Sequence, residues 1–562
     1  MINFNDIKYK RPDYSYTKKR VSSLIEELKT SSSSSLFIEI VRKINKIQNY
    51  LEEMFEYADI CNMRDTSNEF YKDEIKYWNK YKPKYNFLFN PYYDICLNSN
   101  YQKELESILP PNFFNTIKFR LKITSSSIIP LQVKDNELKT LYRNLVTEKV
   151  VYNNEEVSIT IIDKDFNSKD REVRKKAHDA YNDFFLERKK ELDNMYYEMI
   201  LNRNKIAKTL GFNNYSEYSI YDLRRFDYNY KDIKTFRDNI KKYVTPIMKK
   251  ISNWKKEFLG LDDLKYYDTI MFQEMPELKY TDDLLLEEIK KCFLKIDKDL
   301  GVFYGKMLEN NYIDFSTRNN KAKVNITNYL TETGMPVITG EIKGKYTDIT
   351  YISHEYGHSY QKYNASLEDK NYIVSPFLKY PTFDIAEMFS IAMELITIDY
   401  VQKLFKSDGN KYPFLEISHI VNDLLYYCLV DEYQETIYKE KDLTKESIGT
   451  IWLKLVKEYG FEKSNSGHKN LDLGGYIYRQ NHLFLNPFYF IDYALAYFGA
   501  ISLWDNSKNN LDLFGKMGRV ASYYPLKTLL NKYDIGTPFK EENIQYLANF
   551  IDEKLNMYYN NF

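Results

Sequence analysis

The chain has 562 residues, 80 of them basic and 80 acidic, so its formal net charge is zero and no overall field draws it to nucleic acid or an anionic membrane. Hydrophobic residues make up 43% of it, enough in a chain this long to bury one large core or several fused ones. No apolar run approaches the roughly 20 residues that span a bilayer, and the opening MINFNDIKYKRPDYSY lacks the apolar stretch of a secretory leader, so a soluble, cytoplasmic protein is expected.

In chain order, apolar residues at three- and four-residue spacing predict a helix over 36–60. Strand-like text follows at 116–124 and 148–162, the second alternating apolar and polar residues. A long amphipathic helix is expected over 168–211, with Val173, Ala177, Ala180, Phe184, Met195 and Met199 among its apolar positions. Further helices are expected at 231–259, 282–309, 384–405, 414–439, 488–505 and 541–558, with short strands at 266–273 and 335–342. Residues 463–475 are the most turn-rich stretch. Cys61, Cys96, Cys292 and Cys428 stand far apart without a C-x-x-C pair and read as isolated thiols. A mainly α protein with a few short β-strands is expected, divided into an N-terminal helical region, 1–214, and a catalytic region, 215–562.

The chemistry is concentrated in His354-Glu355-Tyr356-Gly357-His358. Residues four apart share one helix face, so His354 and His358 can offer two imidazoles to one metal ion with Glu355 beside them. Chance would produce H-E-x-x-H about 0.005 times in a chain with only six histidines. Imidazole nitrogen suits Zn²⁺, and a catalytic zinc takes three protein ligands and keeps a fourth position open for water. Gly357 permits close approach of another backbone.

The third ligand is sought in DIAEMFSIAMELI, residues 384–396, where Glu387 and Glu394 stand two helical turns apart in an otherwise apolar helix. A carboxylate there is costly unless it meets a cation or a hydrogen-bond donor. Glu387 on the metal, with Glu394 accepting from a metal-bound imidazole, satisfies both; the alternative is that one or both face solvent. Tyr489 and Tyr493, four apart, can present two hydroxyls to one site, although by themselves they read as core aromatics. GMPVITGEIKG, residues 334–344, is expected to form an edge strand and loop on which an extended peptide pairs. His468 reads as a solvated loop histidine, and His178 and His419 carry no assigned role.

TDITYISHEYGHSYQ, DIAEMFSIAMEL, VDEYQETIYKE and RQNHLFLNPFYFIDYALA, together with DREVRKKAHDAYNDFF and NRNKIAKTLGFNNYSEYS upstream, resemble the oligoendopeptidase F family of thimet-like zinc metallopeptidases over nearly the whole chain. The resemblance implies a large, largely helical, closed ellipsoid with a deep internal substrate channel, a zincin-type site with one zinc per chain, and endopeptidase activity on short, unstructured peptides. It assigns the metal to His354, His358 and Glu387, general acid/base work to Glu355, and a place facing the substrate carbonyl to His482, Tyr489 and Tyr493. The text departs from the family's pattern at NNKAKVNITNYL, where relatives usually carry a Gly-Gly pair, and at Phe389, where they often have histidine. Neither change removes a ligand. The alternatives are a zinc carboxypeptidase, which needs a cation for the substrate's terminal carboxylate, and a peptide-binding protein of the same fold without turnover. Retention of Glu355, which holding a metal does not require, favours the enzyme.

Overall fold

The structure, a computed structural model, describes residues 1–368, 380–507 and 511–562. It is mainly α-helical, with five short strands among the described residues. In chain order the helices that matter here are Ser34–Arg64 (α1), Arg171–Glu187 (α2), Lys189–Thr209 (α3), Tyr230–Leu259 (α4), Asp282–Ile296 (α5), Lys298–Glu309 (α6), Thr347–Glu368 (α7), Phe383–Val401 (α8), Lys411–Lys439 (α9), Phe490–Asn506 (α10), Asp512–Val520 (α11) and Glu541–Tyr559 (α12). The strands are Val150–Tyr152 (β1), Glu155–Val157 (β2), Ile313–Asp314 (β3), Ile326–Leu330 (β4) and Met335–Thr339 (β5).

Local chemistry explains several boundaries. Asn229 opens α4 with a reciprocal cap to Asp232, and Gly260 closes it in the left-handed conformation at φ 63°. The stretch expected as one helix over 168–211 is two, because the chain leaves helical geometry at Arg188, whose guanidinium takes the Phe184 carbonyl at 3.1 Å. The one expected over 282–309 is also two: Asp297 is extended and its carboxylate caps α6 by accepting from the Asp299 and Leu300 amides. Asn153 and Asn154, both at positive φ, form the two-residue turn joining β1 to β2.

Two strand expectations fail. Residues 116–124 fall largely within a helix, Asn112–Ile123, which buries Phe113, Phe114, Thr116 and Ile117 at helical spacing and leaves Leu121 exposed. Residues 266–273 form no strand; Asp268 is buried there between Arg171 and Arg174. The 334–344 expectation is also corrected. The sheet order is β3-β5-β4, so Met335–Thr339 is the middle strand and β4 an outer one, because β5 is flanked by β3 in parallel and β4 in antiparallel register.

The chain divides into two compact units. One comprises Met1–Lys118, Glu277–Gly409 and Gly499–Gly536; the other comprises Phe119–Pro276, Asn410–Phe498 and Thr537–Phe562. In the first, α7 packs on α8, α11 and the β4–β5 hairpin, and α1 packs on β4. Its N-terminal segment adds a core that includes Leu24, Val41, Ile44, Trp78 and Tyr92. In the second, α4, α9 and α12 pack together. This unit buries whole ion pairs, Arg237 with Asp431 at 2.6 Å and Arg225 with Asp492 at 2.8 Å; removing one partner of such a pair typically costs about 3–5 kcal/mol. The four cysteines are free, and no helix among the described residues is long and apolar enough to cross a membrane.

Candidate metal centre

The centre is built on α7 and α8 within the first unit. Asp348, in the first turn of α7, accepts from the Lys343 and Lys345 amides at 3.0 and 2.9 Å and so fixes the entry to the helix. Further along α7, the helical period sets His354 and His358 on one face, their ring centroids 4.9 Å apart and nearly perpendicular. The α8 text is apolar on all sides, so that helix is buried almost throughout. A β-carbon at Gly357 would lie 2.6 Å from the Phe389 carbonyl oxygen and 2.7 Å from Ser390 Cα. Glycine at this position therefore lets α8 approach α7 closely enough to deliver its glutamates.

His354 Nε2 lies 3.3 Å and His358 Nε2 3.6 Å from the same Glu387 oxygen, Oε2. Ser390 Oγ donates to that oxygen at 3.0 Å. Glu394, half-buried, receives His354 Nδ1 at 2.5 Å, which directs the imidazole's other nitrogen toward Glu387. Burial raises the Glu387 pKa, but the two imidazoles outweigh it and hold the carboxyl well below its ordinary range. For His354 burial opposes the charged ring, yet its hydrogen bonds to Glu387 and Glu394 prevail and lift its pKa well above the ordinary value. Burial raises the Glu394 pKa, the contact with His354 opposing it. A bound cation would take the place of the proton that these charges attract.

The donor set fits a metal. One atom from each of His354, His358 and Glu387 lies within 4.8 Å of the others. Tetrahedral zinc with bonds of about 2.0–2.1 Å sets its ligand atoms about 3.3 Å apart, the spacing the two histidine–glutamate pairs approach. Glu355, buried beside them, receives the Thr327 hydroxyl on Oε2 at 2.6 Å. Sequence reasoning did not single out Thr327, which lies in the stretch noted only as a departure; a threonine on a strand carries no mark until its neighbour across the fold is known.

His482, Tyr489 and Tyr493 gather in the second unit. The His482 and Tyr489 rings stack at 5.6 Å, those of Tyr489 and Tyr493 meet edge-on at 5.3 Å, and the two hydroxyls are 3.5 Å apart. Burial lowers the His482 pKa, which favours a neutral imidazole. Buried arginines hold the segment: Arg203 donates to the Leu483 and Phe484 carbonyls, and Arg225 to the Phe488 carbonyl at 2.7 Å and to Asp492. Phe488 adopts φ 66°, its amide donating to Gln434 at 2.8 Å. Elsewhere in that unit His468 is a helix cap, accepting from the Asn470 amide, with Asp183 3.3 Å from its other nitrogen.

A His-Glu-x-x-His helix whose imidazoles meet a glutamate from an adjacent helix, in a mainly α fold, defines a metallopeptidase. The chain belongs to peptidase family M3: that family's profile matches residues 166–522, and the profile of the peptidase M3 N-terminal domain matches residues 4–124. Among solved structures it is similar to PZ peptidase A with an inhibitor, at 28% identity over 99% of both chains and a TM-score of 0.87. A protein labelled oligoendopeptidase F is 27% identical over 99% of both chains, again with a TM-score of 0.87. One from Bacillus anthracis with the same label is 25% identical over 99% of this chain and 98% of that one, with a TM-score of 0.83. No curated protein matches the chain.

Proposed function

We propose that this metallopeptidase is a zinc endopeptidase of the cytoplasm that cuts short, unstructured peptides inside their ends. The observation that carries the reading is the convergence of His354 Nε2 and His358 Nε2 on one oxygen of Glu387, at 3.3 and 3.6 Å, with all three ligand atoms within 4.8 Å of one another and Glu355 on the same helix. His354, His358 and Glu387 would hold one zinc per chain. When bound, zinc supplies a Lewis acid for the scissile carbonyl and the attacking water. Glu355 takes the proton from that water and passes it to the leaving amine. Glu394 fixes the His354 ring through Nδ1. His482, Tyr489 and Tyr493 keep the role the resemblance implies, donors to the oxyanion that forms as the carbonyl is attacked. The label borne by the similar structures, oligoendopeptidase, supports peptides as substrates.

The test pairs metal analysis of the purified protein with mass-spectrometric mapping of cuts in a mixed peptide library, half of it blocked at both termini. One zinc per chain and internal cuts in blocked peptides are expected. Cuts only near free C-termini would establish a carboxypeptidase instead, and zinc without any cut a binding protein.

A further inference from the structure

β4 is an outer strand among the described residues, and its pairing with β5 fixes the direction of its backbone groups. Ile338, opposite Thr327, sends its amide to the Tyr312 carbonyl at 2.8 Å, on the β3 side. Pro336, opposite Tyr329, has no amide to give. Backbone groups alternate sides along a strand, so Thr327 and Tyr329 turn theirs away from β5. Both outward carbonyls meet side-chain donors. Lys362 Nζ donates to Thr327 O at 3.0 Å, and the Tyr380 hydroxyl to Tyr329 O at 3.5 Å. The Lys362 ammonium also lies 5.1 Å from the centre of the Tyr380 ring.

Lys362 lies one turn beyond His358 on α7 and is only 8% exposed, so it ties the edge of β4 to the helix that carries Glu355. The Thr327 hydroxyl has one proton and two acceptors in reach, Glu355 Oε2 at 2.6 Å and the Glu355 carbonyl at 2.9 Å. That carbonyl already receives Ser359 Oγ at 3.0 Å, and the carboxylate is the stronger acceptor. We propose that Thr327, anchored through Lys362, is a positioning residue for Glu355: its hydroxyl holds Oε2 and leaves Oε1 to meet the attacking water. The inference rests on Glu355 being the general base.

The experiment uses the full-length, zinc-loaded protein and a peptide blocked at both ends, with Thr327→Val, Thr327→Ser, Lys362→Met, Thr327→Val combined with Lys362→Met, and Glu355→Gln side by side. Thr327→Val keeps the shape of the side chain and removes the hydroxyl. Its kcat is expected to fall about 10- to 100-fold with KM and metal content unchanged, and Thr327→Ser to recover most of the loss. Lys362→Met should lower kcat in the same sense and add little to Thr327→Val, as expected of two groups acting through one contact. Wild-type turnover by Thr327→Val beside an inactive Glu355→Gln overturns the positioning role and leaves the base intact. An active Glu355→Gln overturns the base reading instead. Should Thr327→Val not fold, Thr327→Ala is read in its place. Metal loss, or equal loss of rate in Thr327→Ser, makes the hydroxyl structural and overturns the proposal; full multiplication in the double variant removes Lys362 from it.

Discussion

Replacing Gly357 by alanine tests whether close packing of α7 on α8 makes the metal centre. The new β-carbon would meet Phe389 O at 2.6 Å, Ser390 Cα at 2.7 Å and Met393 Cβ at 2.8 Å, against 3.4 Å for ordinary contact. Two of the three are backbone atoms, which cannot rotate away, so the helices must part by about 0.6–0.8 Å at that point. Alanine gains up to about 1 kcal/mol of helix propensity over glycine. Overpacking of this kind costs about 1–3 kcal/mol, so the expected sign is destabilisation. The larger effect falls on the metal. His354 and His358 stand 3.3 and 3.6 Å from Glu387 Oε2, already at or beyond the roughly 3.3 Å of tetrahedral zinc, and a further separation of that size pulls the carboxylate out of the set. Zinc affinity is expected to fall about 10- to 100-fold, by analogy with loss of ligand-orienting contacts. Competition against a chromophoric chelator on metal-stripped protein reads this directly, with a thermal melt in parallel. Wild-type affinity together with an unchanged Tm would refute the packing argument.

Glu355→Gln should leave zinc bound and lower peptide turnover by at least about 100-fold, since an amide cannot take the proton from water; a metal-loaded variant with substantial turnover contradicts this. His482→Ala, Tyr489→Phe and Tyr493→Phe should keep zinc and fold while each lowers kcat, by up to the roughly 100- to 1,000-fold typical of one oxyanion donor. A variant with unchanged rate returns its residue to packing. Burial first, and then Glu52, pushes the Glu56 carboxyl from 4.5 up to about 7 against a hydrogen bond from Asn328. The folded state thus holds that proton more tightly, and the stability it adds is complete below about 4.5 and lost as pH rises through about 7. Glu56→Gln should therefore raise Tm relative to the parent by more at about pH 8 than at about pH 5, and equal differences at both would contradict this. One cleavable sequence should be cut readily in a short blocked peptide and resist in an exposed loop of a stable protein, because ordering a chain into extended form costs entropy that a folded host opposes; equal rates reject the preference for short peptides.

Much of the helical architecture was legible because burying one helix face leaves a 3.6-residue signature in the text, as 231–259 and 541–558 show against the observed Tyr230–Leu259 and Glu541–Tyr559. The breaks at Arg188 and Asp297 were harder, since the apolar period runs across both and only the caps interrupt it. Residues 116–124 misled for a related reason: T-I-K-F-R-L-K-I alternates like a strand, but the chain buries it by a helical face and leaves Leu121 in water. An isolated alternation does not say which face finds a partner.

By itself the sequence determined that His354, Glu355 and His358 share one helix, because spacing within a helix is a local property that needs no other part of the chain. It also marked Glu387 and Glu394, because carboxylates in apolar text demand partners. Tertiary structure alone decided that both histidines meet one oxygen of Glu387, that Gly357 is the point where α7 and α8 close, and that β5 lies inside its sheet while β4 lies at the edge. It alone brought Thr327 to Glu355 and assembled each compact unit from three separated segments. These are contacts between residues far apart in the chain, set by which surfaces pack most completely, and no periodicity records them.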